Sequence, residues 1–119
     1  MDESTSRWPT AWIRAALDLA ILSALGQGEL HGYAIAAALE ARGMGRLKGG
    51  SLYPVLARLE ADGLVAAVWL PGESGPGRKA YSLTPAGARH RERLAADWQD
   101  FTAALGALSP SPATEGDPR

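Results

Sequence analysis

Hydrophobic side chains recur at helical spacing through the first half of the chain. The pattern predicts a first helix over residues 12–25 and a second over 33–41, since glycines follow each segment and stop it. A third amphipathic segment starts at Ser51, which is a suitable N-cap, and Pro54 falls within its predicted first turn, where a missing N–H is tolerated. One face of this third helix is predicted to join the core and the opposite face to stay accessible. The predicted core positions are Leu52, Val55, Leu56 and Leu59.

The second half of the chain changes from helical to strand patterning. Residues 64–70 and 78–83 are rich in strand-forming residues and flank a segment of Pro and Gly at 71–77, which predicts a β-hairpin with a long tip. Thr84 and Pro85 then form a helix start signal. We therefore expect a mainly α fold with a small β-hairpin (α+β), organised as a winged helix-turn-helix domain plus a C-terminal dimerisation helix.

Length and composition favour one domain with loose ends. The chain has 119 residues, 46% of them hydrophobic, which suffices for a single modest core. We predict a flexible N-terminus over 1–10, the winged helix-turn-helix domain over 11–85, the dimerisation helix over 86–108 and a disordered tail over 109–119. No apolar run approaches the roughly 20 residues that span a bilayer, and the start lacks a secretory pattern, so we expect a cytoplasmic protein without membrane association.

Few residues suited to catalysis or metal binding are present. The chain has no cysteine and two histidines, His31 and His90, which argues against disulfides, thiolate chemistry and a multi-histidine metal site. The glycines between 72 and 77 lie in a predicted hairpin rather than between a strand and a helix, so they do not form a phosphate-binding loop of the usual kind. We therefore predict neither an enzyme nor a cofactor, and we interpret His31 as a structural residue at the start of the second helix.

Charge is distributed unevenly along the chain. Residues 42–93 hold nine Lys or Arg against four Asp or Glu, a net charge of +5, although the whole chain carries −1. This asymmetry permits a local attraction to phosphates. An ordinary solvated face has a similar bias, so charge alone does not decide between phosphate binding and a solvated surface.

The accessible face of the third helix combines small residues with one cation. Small residues let the backbone approach closely, as insertion into a DNA major groove requires, and Arg58 is long enough to reach a guanine edge or a phosphate. A solvated Arg on an ordinary amphipathic helix is the alternative. At the base of the hairpin tip, Arg78 and Lys79 point to opposite faces by strand alternation, and phosphate anchoring is favoured over a solubilising role. The predicted DNA contacts are Tyr33, Lys48, Ser51, Tyr53, Pro54, Arg58, Arg78 and Lys79.

Several separated motifs agree in order and spacing with one protein family. They are Leu30-His31-Gly32-Tyr33, the stretch from Gly50 to Val65, Trp69, and the stretch from Gly75 to Pro85 with Gly87 beyond it. Over roughly residues 13–108 the chain resembles the PadR family of bacterial transcriptional regulators. The resemblance implies a homodimer that binds a pseudo-palindromic operator in double-stranded DNA, with repression released by a small-molecule effector. The wing departs from the family pattern, since Gly77 stands where a second proline is common and Ala80 where an aromatic residue is common.

An apolar seam on the last helix predicts a protein interface. Its residues step by 4, 3, 4 and 3 positions, the spacing of a helix that buries one stripe against a partner. We expect a homodimer, with packing of the seam on its own domain as the alternative. Trp12, Trp98 and Phe101 are candidates for a pocket that binds an aromatic effector, or they form interface core. A winged-helix protein-interaction module without DNA binding is the alternative function. The seam consists of Leu94, Trp98, Phe101, Leu105 and Leu108.

Overall fold

The computed structural model describes residues 7–72 and 77–109. Expectations for the flexible start, the hairpin tip and the disordered tail that fall on 1–6, 73–76 and 110–119 lie outside these residues. Within the described ranges, every helix is too short or too polar to span a bilayer. The helices are α1 (Thr10–Leu25), α2 (Gly32–Ala41), α3 (Gly49–Ala61) and α4 (Pro85–Leu108), and the strands are β1 (Leu30–His31), β2 (Val65–Leu70) and β3 (Arg78–Leu83).

The described sheet has three strands, whereas the sequence predicted two. The predicted hairpin is present as β2 and β3, which pair antiparallel along their whole length and form the wing. The additional strand β1 pairs with the other edge of β3, where Leu30 faces Tyr81 and His31 faces Ala80. A strand of two residues is too short to show an alternating pattern of its own, so only its pairing with β3 identifies it. The fold is otherwise mainly α, as predicted.

One core lies between the first three helices and the sheet. The predicted facing of α3 is confirmed for Leu52, Leu56 and Leu59, which are buried, whereas Ala57 and Arg58 are exposed. The fourth predicted core residue, Val55, is half-buried and packs against the core. Full burial of such a leucine contributes about 1.5–3 kcal/mol relative to exposure. The largest fully buried side chains among the described residues are those of Leu17, Ile21, Leu22, Ile35, Leu52, Leu56, Leu59 and Val65.

The start of α3 differs from the prediction. Lys48 is the N-cap residue, and its carbonyl oxygen accepts hydrogen bonds from the amides of Ser51 and Leu52 at 2.9 and 3.1 Å. The prediction that Ser51 caps this helix was therefore wrong, because the helix begins two residues earlier at Gly49. Pro54 consequently lies beyond the first turn, where its ring removes the hydrogen bond that the carbonyl four residues earlier would accept.

Gly32, the first residue of α2, packs closely against Tyr53 of α3. A β-carbon at Gly32 would lie 2.5 Å from Tyr53 Oη and 2.6 Å from its Cε1, so close that the ring would have to move. The Tyr53 ring therefore occupies the space beside the first residue of α2. This contact joins the two helices that form the helix-turn-helix unit.

The start of α4 agrees with the prediction. Thr84 Oγ1 accepts a hydrogen bond from the amide of Gly87 at 2.9 Å, and Pro85 is the first helical residue. The same hydroxyl donates to the carbonyl oxygen of Gly63 at 2.7 Å. Gly87 lies against the carbonyl of Leu64, where a β-carbon would overlap it. These contacts attach α4 to the turn that follows α3.

Candidate nucleic-acid interface

A groove of about 510 Å³ lies between the helix-turn-helix unit and the wing. We call it the wing groove. Its aromatic lining is unusually accessible, since Tyr33 is 78% exposed and Trp69 is 69% exposed. Among the described residues that line it, none is acidic. The wing groove is lined by His31, Gly32, Tyr33, Tyr53, Ala57, Trp69, Gly77, Arg78, Lys79 and Tyr81.

The structure brings half of the predicted DNA contacts together. Tyr33, Tyr53, Arg78 and Lys79 all line the wing groove. The other four lie on or beside α3 and outside the groove lining. Lys48 is exposed at the N-cap and Pro54 is exposed on the helix. Ser51 is half-buried in the first turn, and Arg58 is exposed in the last turn.

His31 links the start of α2 to the wing. Its Nδ1 accepts a hydrogen bond from the amide of Ala34 at 3.3 Å, which confirms a structural role at the helix start. Its Nε2 lies 3.1 Å from Nη1 of Arg78. A neutral imidazole has a single acceptor nitrogen, so His31 is unable to accept from Ala34 and Arg78 together. While the ring caps α2, the Arg78 guanidinium faces an N–H group and its donors remain available to another acceptor.

Lys79 has an acidic neighbour that the local sequence does not contain. Its Nζ lies 3.2 Å from Oε1 of Glu60 on α3, and 5.6 Å from the centroid of the Tyr81 ring. Burial raises the pKa of Tyr81 above its usual value, and the positive charge of Lys79 opposes that shift. Lys79 and Arg78 thus have different partners, on α3 and at the end of β1, as expected for neighbours on a strand.

Arg58 is held by a residue 40 positions earlier in the chain. Its Nη2 lies 2.6 Å from Oδ1 of Asp18 on α1. This hydrogen bond raises the pKa of Arg58 above its usual value, against a smaller opposing effect of burial. Both side chains are partly exposed, so solvent screens the pair. Binding of Arg58 to a base or phosphate therefore requires exchange of the Asp18 carboxylate for the nucleic acid.

Trp69 is a groove residue that the predicted contact set omitted. It lies opposite Lys79 in the β2–β3 register, which places an exposed indole beside the cationic base of the wing. The resemblance to the PadR family included this Trp, but no role was predicted for it. Counting residues outward from the hairpin tip would have paired it with Lys79, and this pairing was the available signal.

A second cleft, of about 660 Å³, lies between α1 and α4. We call this surface the aromatic cleft. It unites the three predicted effector residues and adds Trp8, which stacks on Trp12 with 6.0 Å between ring centroids. Trp98 and Phe101 form an edge-to-face pair at 5.7 Å. The lining includes Trp8, Trp12, Ile13, Met44, Trp98, Phe101 and Leu105.

The predicted dimer seam divides into two parts. Leu94 packs against the core of its own domain. Further along α4, Phe101 is 54% exposed and Leu108 is 80% exposed, and Leu105 is also exposed. The later part of the seam therefore leaves a stripe of large apolar side chains uncovered in the single chain.

Comparison with known proteins decides the family. The model of the transcriptional regulator PadR-like family matches residues 21–93, which extend from α1 through the wing into α4. The chain belongs to the PadR-like family of transcriptional regulators. Membership in this family confirms the predicted class, a transcriptional regulator rather than an enzyme.

Individual relatives agree with the assignment. The PadR-like chain is 42% identical over 74 residues to transcriptional regulator Rv3488 of Mycobacterium tuberculosis, an alignment that covers 62% of this chain and 67% of that protein. It is 49% identical over 75 residues to an uncharacterized 37.1 kDa protein in transposon TN4556 of Streptomyces fradiae, covering 63% of this chain but 21% of that longer protein.

A solved structure supports the fold. The crystal structure of a PadR family transcriptional regulator from Eggerthella lenta superposes with a TM-score of 0.78 at 32% identity, covering 85% of this chain and 88% of that one. The winged helix-turn-helix architecture of the PadR-like chain is therefore as predicted.

Proposed function

We propose that this regulator binds double-stranded DNA as a homodimer at a pseudo-palindromic operator, represses transcription there, and is released by a small aromatic effector. The observation that carries the proposal is the wing groove. It combines the accessible rings of Tyr33 and Trp69 with the cations Arg78 and Lys79, next to the exposed face of α3. Cations and aromatic donors that flank a helix able to enter a groove suit a polyanionic duplex.

The two wing cations are assigned to phosphates. While the His31 ring caps α2, it is unable to accept a hydrogen bond from Arg78. A phosphate oxygen is therefore the better partner for the N–H groups of Arg78. Lys79 would exchange its exposed contact with Glu60 for a phosphate, at little cost because solvent already screens that pair. These contacts orient the protein on the duplex without reading its sequence.

The exposed face of α3 is assigned to the major groove. Ser51, Pro54 and Ala57 are small enough for close approach, with Tyr53 at the flank and Arg58 able to exchange Asp18 for a guanine edge. Lys48 at the helix start and Tyr33 on α2 are assigned to the backbone. In a dimer, two such helices would read half-sites about 10 base pairs apart or at a multiple of that spacing.

The uncovered stripe on α4 supports the homodimer. Phe101, Leu105 and Leu108 are exposed large apolar residues on one helix, and burying them removes apolar area from water. A second copy of the chain presents the same stripe. Around a two-fold axis beside α4, the stripes of the two copies would cover each other. The proposal implies a cytoplasmic location, because the operator must be accessible to the protein.

The aromatic cleft supports an effector of aromatic character. Its volume of about 660 Å³ lies within the usual range for small-molecule sites, and Trp12, Trp98 and Phe101 supply flat apolar walls. Interface core is the alternative role for the same rings. Quenching of Trp fluorescence by a panel of planar compounds would favour the effector pocket over interface core. The Trp98→Ala protein is informative for this comparison only if it stays dimeric. Absence of quenching across the panel would leave packing as the role of these rings.

DNA binding is tested by gel shift with the DNA upstream of the protein's own reading frame, at two salt concentrations. Arg78→Gln should weaken a specific shift, whereas Arg89→Gln should not, because Arg89 is exposed on α4 outside the wing groove. Both variants remove one positive charge, so their difference reports position rather than net charge. If folded dimer bound no specific site, even after selection from genomic DNA, the alternative of a winged-helix protein-interaction module would replace this proposal.

The homodimer is tested by sedimentation of the Leu105→Glu protein. A charge at this position should convert dimer to monomer, because a carboxylate buried between two copies lacks a partner. The matched control is Ala103→Glu, which places the same charge on an exposed position on the opposite side of α4 from the stripe. Dimers of unchanged affinity in the Leu105→Glu protein would show that the stripe does not form the interface.

A further inference from the structure

The imidazole of His31 meets two donors but has one nitrogen that can accept. Nδ1 lies 3.3 Å from the amide nitrogen of Ala34, and Nε2 lies 3.1 Å from Nη1 of Arg78. A guanidinium has only donors, whereas a neutral imidazole has one N–H and one acceptor nitrogen. Each neutral tautomer therefore satisfies one of these contacts and brings two N–H groups together in the other.

Arg78 is a strong competitor for the acceptor nitrogen. Within residues 7–72 and 77–109, none of the ion pairs involves this arginine. A hydrogen bond from a charged donor is roughly twice as strong as one between neutral groups. In the free protein, Arg78 therefore draws part of the population away from the tautomer in which Nδ1 caps α2.

The ring itself is held in place while its proton changes position. His31 pairs with Ala80 in the sheet, and its ring stacks on Tyr33 with 6.4 Å between centroids and 16° between planes. The two nitrogens consequently keep their directions, one toward α2 and the other toward Arg78. The tautomer changes when Nδ1 releases a proton to water and Nε2 takes one from water, so no rotation of the ring is needed.

In the capping tautomer, His31 and Arg78 form a paired donor. Their Nε2 and Nη1 atoms lie 3.1 Å apart, so both N–H groups can donate to one oxygen at ordinary hydrogen-bond distances. An anionic oxygen placed there removes the conflict between the two N–H groups and suits the guanidinium charge. Both side chains line the wing groove, where none of the described lining residues is acidic.

We propose that one DNA phosphate is held between Arg78 and His31, and that this contact selects the tautomer that caps α2. The inference rests on the proposed DNA binding and adds His31 to its contacts. A phosphate at Nε2–H leaves Nδ1 to accept from the amide of Ala34, so DNA binding strengthens the start of α2. By thermodynamic reciprocity, the cap in turn favours the phosphate contact.

The first test is a cycle of variants measured by fluorescence anisotropy on the DNA identified by gel shift. His31→Asn keeps an oxygen that caps a helix well, but its side chain is too short to share a phosphate with Arg78. It should weaken binding at least about fivefold, the loss of one hydrogen bond to a charged group, and leave the urea midpoint unchanged.

The cycle distinguishes a shared phosphate from a purely structural role of His31. When His31→Asn is combined with Arg78→Gln, the loss of affinity should be smaller than the product of the two single losses, because either change removes the same contact. The matched control combines His31→Asn with Lys79→Gln. Lys79 is the next residue on β3 and contacts Glu60 instead, so those two losses should multiply.

The second test follows the imidazole nitrogens of the unmodified protein by NMR after labelling with ¹⁵N-histidine, at about pH 8, where free imidazole is neutral. DNA should move the resonance of His31 Nε2 toward that of a protonated nitrogen and Nδ1 toward that of an unprotonated one. His90, which lies on α4 outside the wing groove, should not respond, and a His90→Gln protein identifies its signals.

Three outcomes would overturn this inference while DNA binding itself stands. They are unchanged His31 resonances in the complex, full affinity of the His31→Asn protein, and losses that multiply in the cycle with Arg78. Absence of any DNA binding would overturn both the inference and the proposed function on which it rests.

Discussion

Two surfaces of this molecule expose aromatic rings, and they differ in the charges around them. The wing groove places Tyr33 and Trp69 beside Arg78 and Lys79. The aromatic cleft also has exposed rings, but its lining between α1 and α4 contains no charged residue among those described. Similar aromatic content therefore suits different partners, a polyanion at one surface and an apolar surface or flat ligand at the other.

The difference arises from secondary structure. On the wing, Arg78 and Lys79 are consecutive on β3, and Trp69 on the neighbouring strand β2 is the register partner of Lys79. On α4, the spacing of three and four residues collects apolar side chains into one stripe and leaves the polar ones on other faces. The cations of the wing groove thus lie on a strand, whereas the uniform aromatic cleft is formed mainly by helices.

Salt provides the largest expected separation of the two surfaces. If the dimer neutralises roughly 6 to 10 phosphates, DNA affinity should fall on the order of 10³ to 10⁵ between 50 and 200 mM salt, because bound counterions are released. Dimerisation through an apolar stripe should change by less than about tenfold over the same range, since it involves few charges. Fluorescence anisotropy measures the first and sedimentation the second. Equal salt dependence of both would remove the distinction.

A core substitution should damage both surfaces together. Leu56 is fully buried in α3, so Leu56→Ala should lower the free energy of unfolding by about 2 to 5 kcal/mol through lost burial and a residual cavity. Ala57→Ser, on the exposed side of the same helix, should change it by no more than about 0.5 kcal/mol. Urea unfolding measures both. Equal losses in the two variants would mean that the facing of α3 is wrong.

Stability should respond more moderately to a substitution at the start of α4, where this helix follows the wing. Thr84→Ala removes the hydroxyl that accepts from Gly87 and donates to Gly63. The expected loss of stability is about 1 kcal/mol, typical for an N-cap. Thr84→Ser keeps the hydroxyl and should restore most of it. If the Ser protein were as unstable as the Ala protein, the methyl group rather than the hydrogen bonds would be responsible.

The smallest expected effect concerns Arg58. Asp18→Asn removes the charge that holds the guanidinium, so Arg58 becomes available and one negative charge near α3 is lost. DNA affinity should rise by roughly threefold, and stability should change by less than about 1 kcal/mol because the pair is partly exposed. Anisotropy with the Asp18→Asn, Arg58→Gln double variant is the control. A rise that persists in the double variant would exclude Arg58 as its cause.

Local signals predicted the fold best. The Thr84 cap and the Pro85 start of α4 are confirmed at those residues because capping involves only neighbours in sequence. The start of α3 was misplaced because the prediction gave the Ser51 hydroxyl a capping role and left Gly49 outside the helix. Instead, the Tyr53 ring packs over Gly32 and Gly49 at the helix-turn-helix junction. Tertiary packing overrode local propensity at that position.

Partners distant in sequence limited what was predictable about the site. The four groove contacts were brought together as the winged fold implies. However, Asp18 lies 40 residues from Arg58, Glu60 comes from a different element than Lys79, and His31 meets Arg78 only because β1 pairs with β3. Each of these pairs depends on the assembled fold, so composition and periodicity were unable to identify them.

The contact between Gly32 and Tyr53 also limits which sequences this architecture tolerates. Any side chain at position 32 would begin with a carbon 2.5 to 2.8 Å from the tyrosine ring, so every substitution there must displace α3 or expel the ring. The position of an exposed aromatic ring beside the wing thus depends on a missing methyl group. Replacing one hydrogen by a methyl group at this point would displace Tyr53, a residue assigned to DNA, although position 32 itself is assigned no contact.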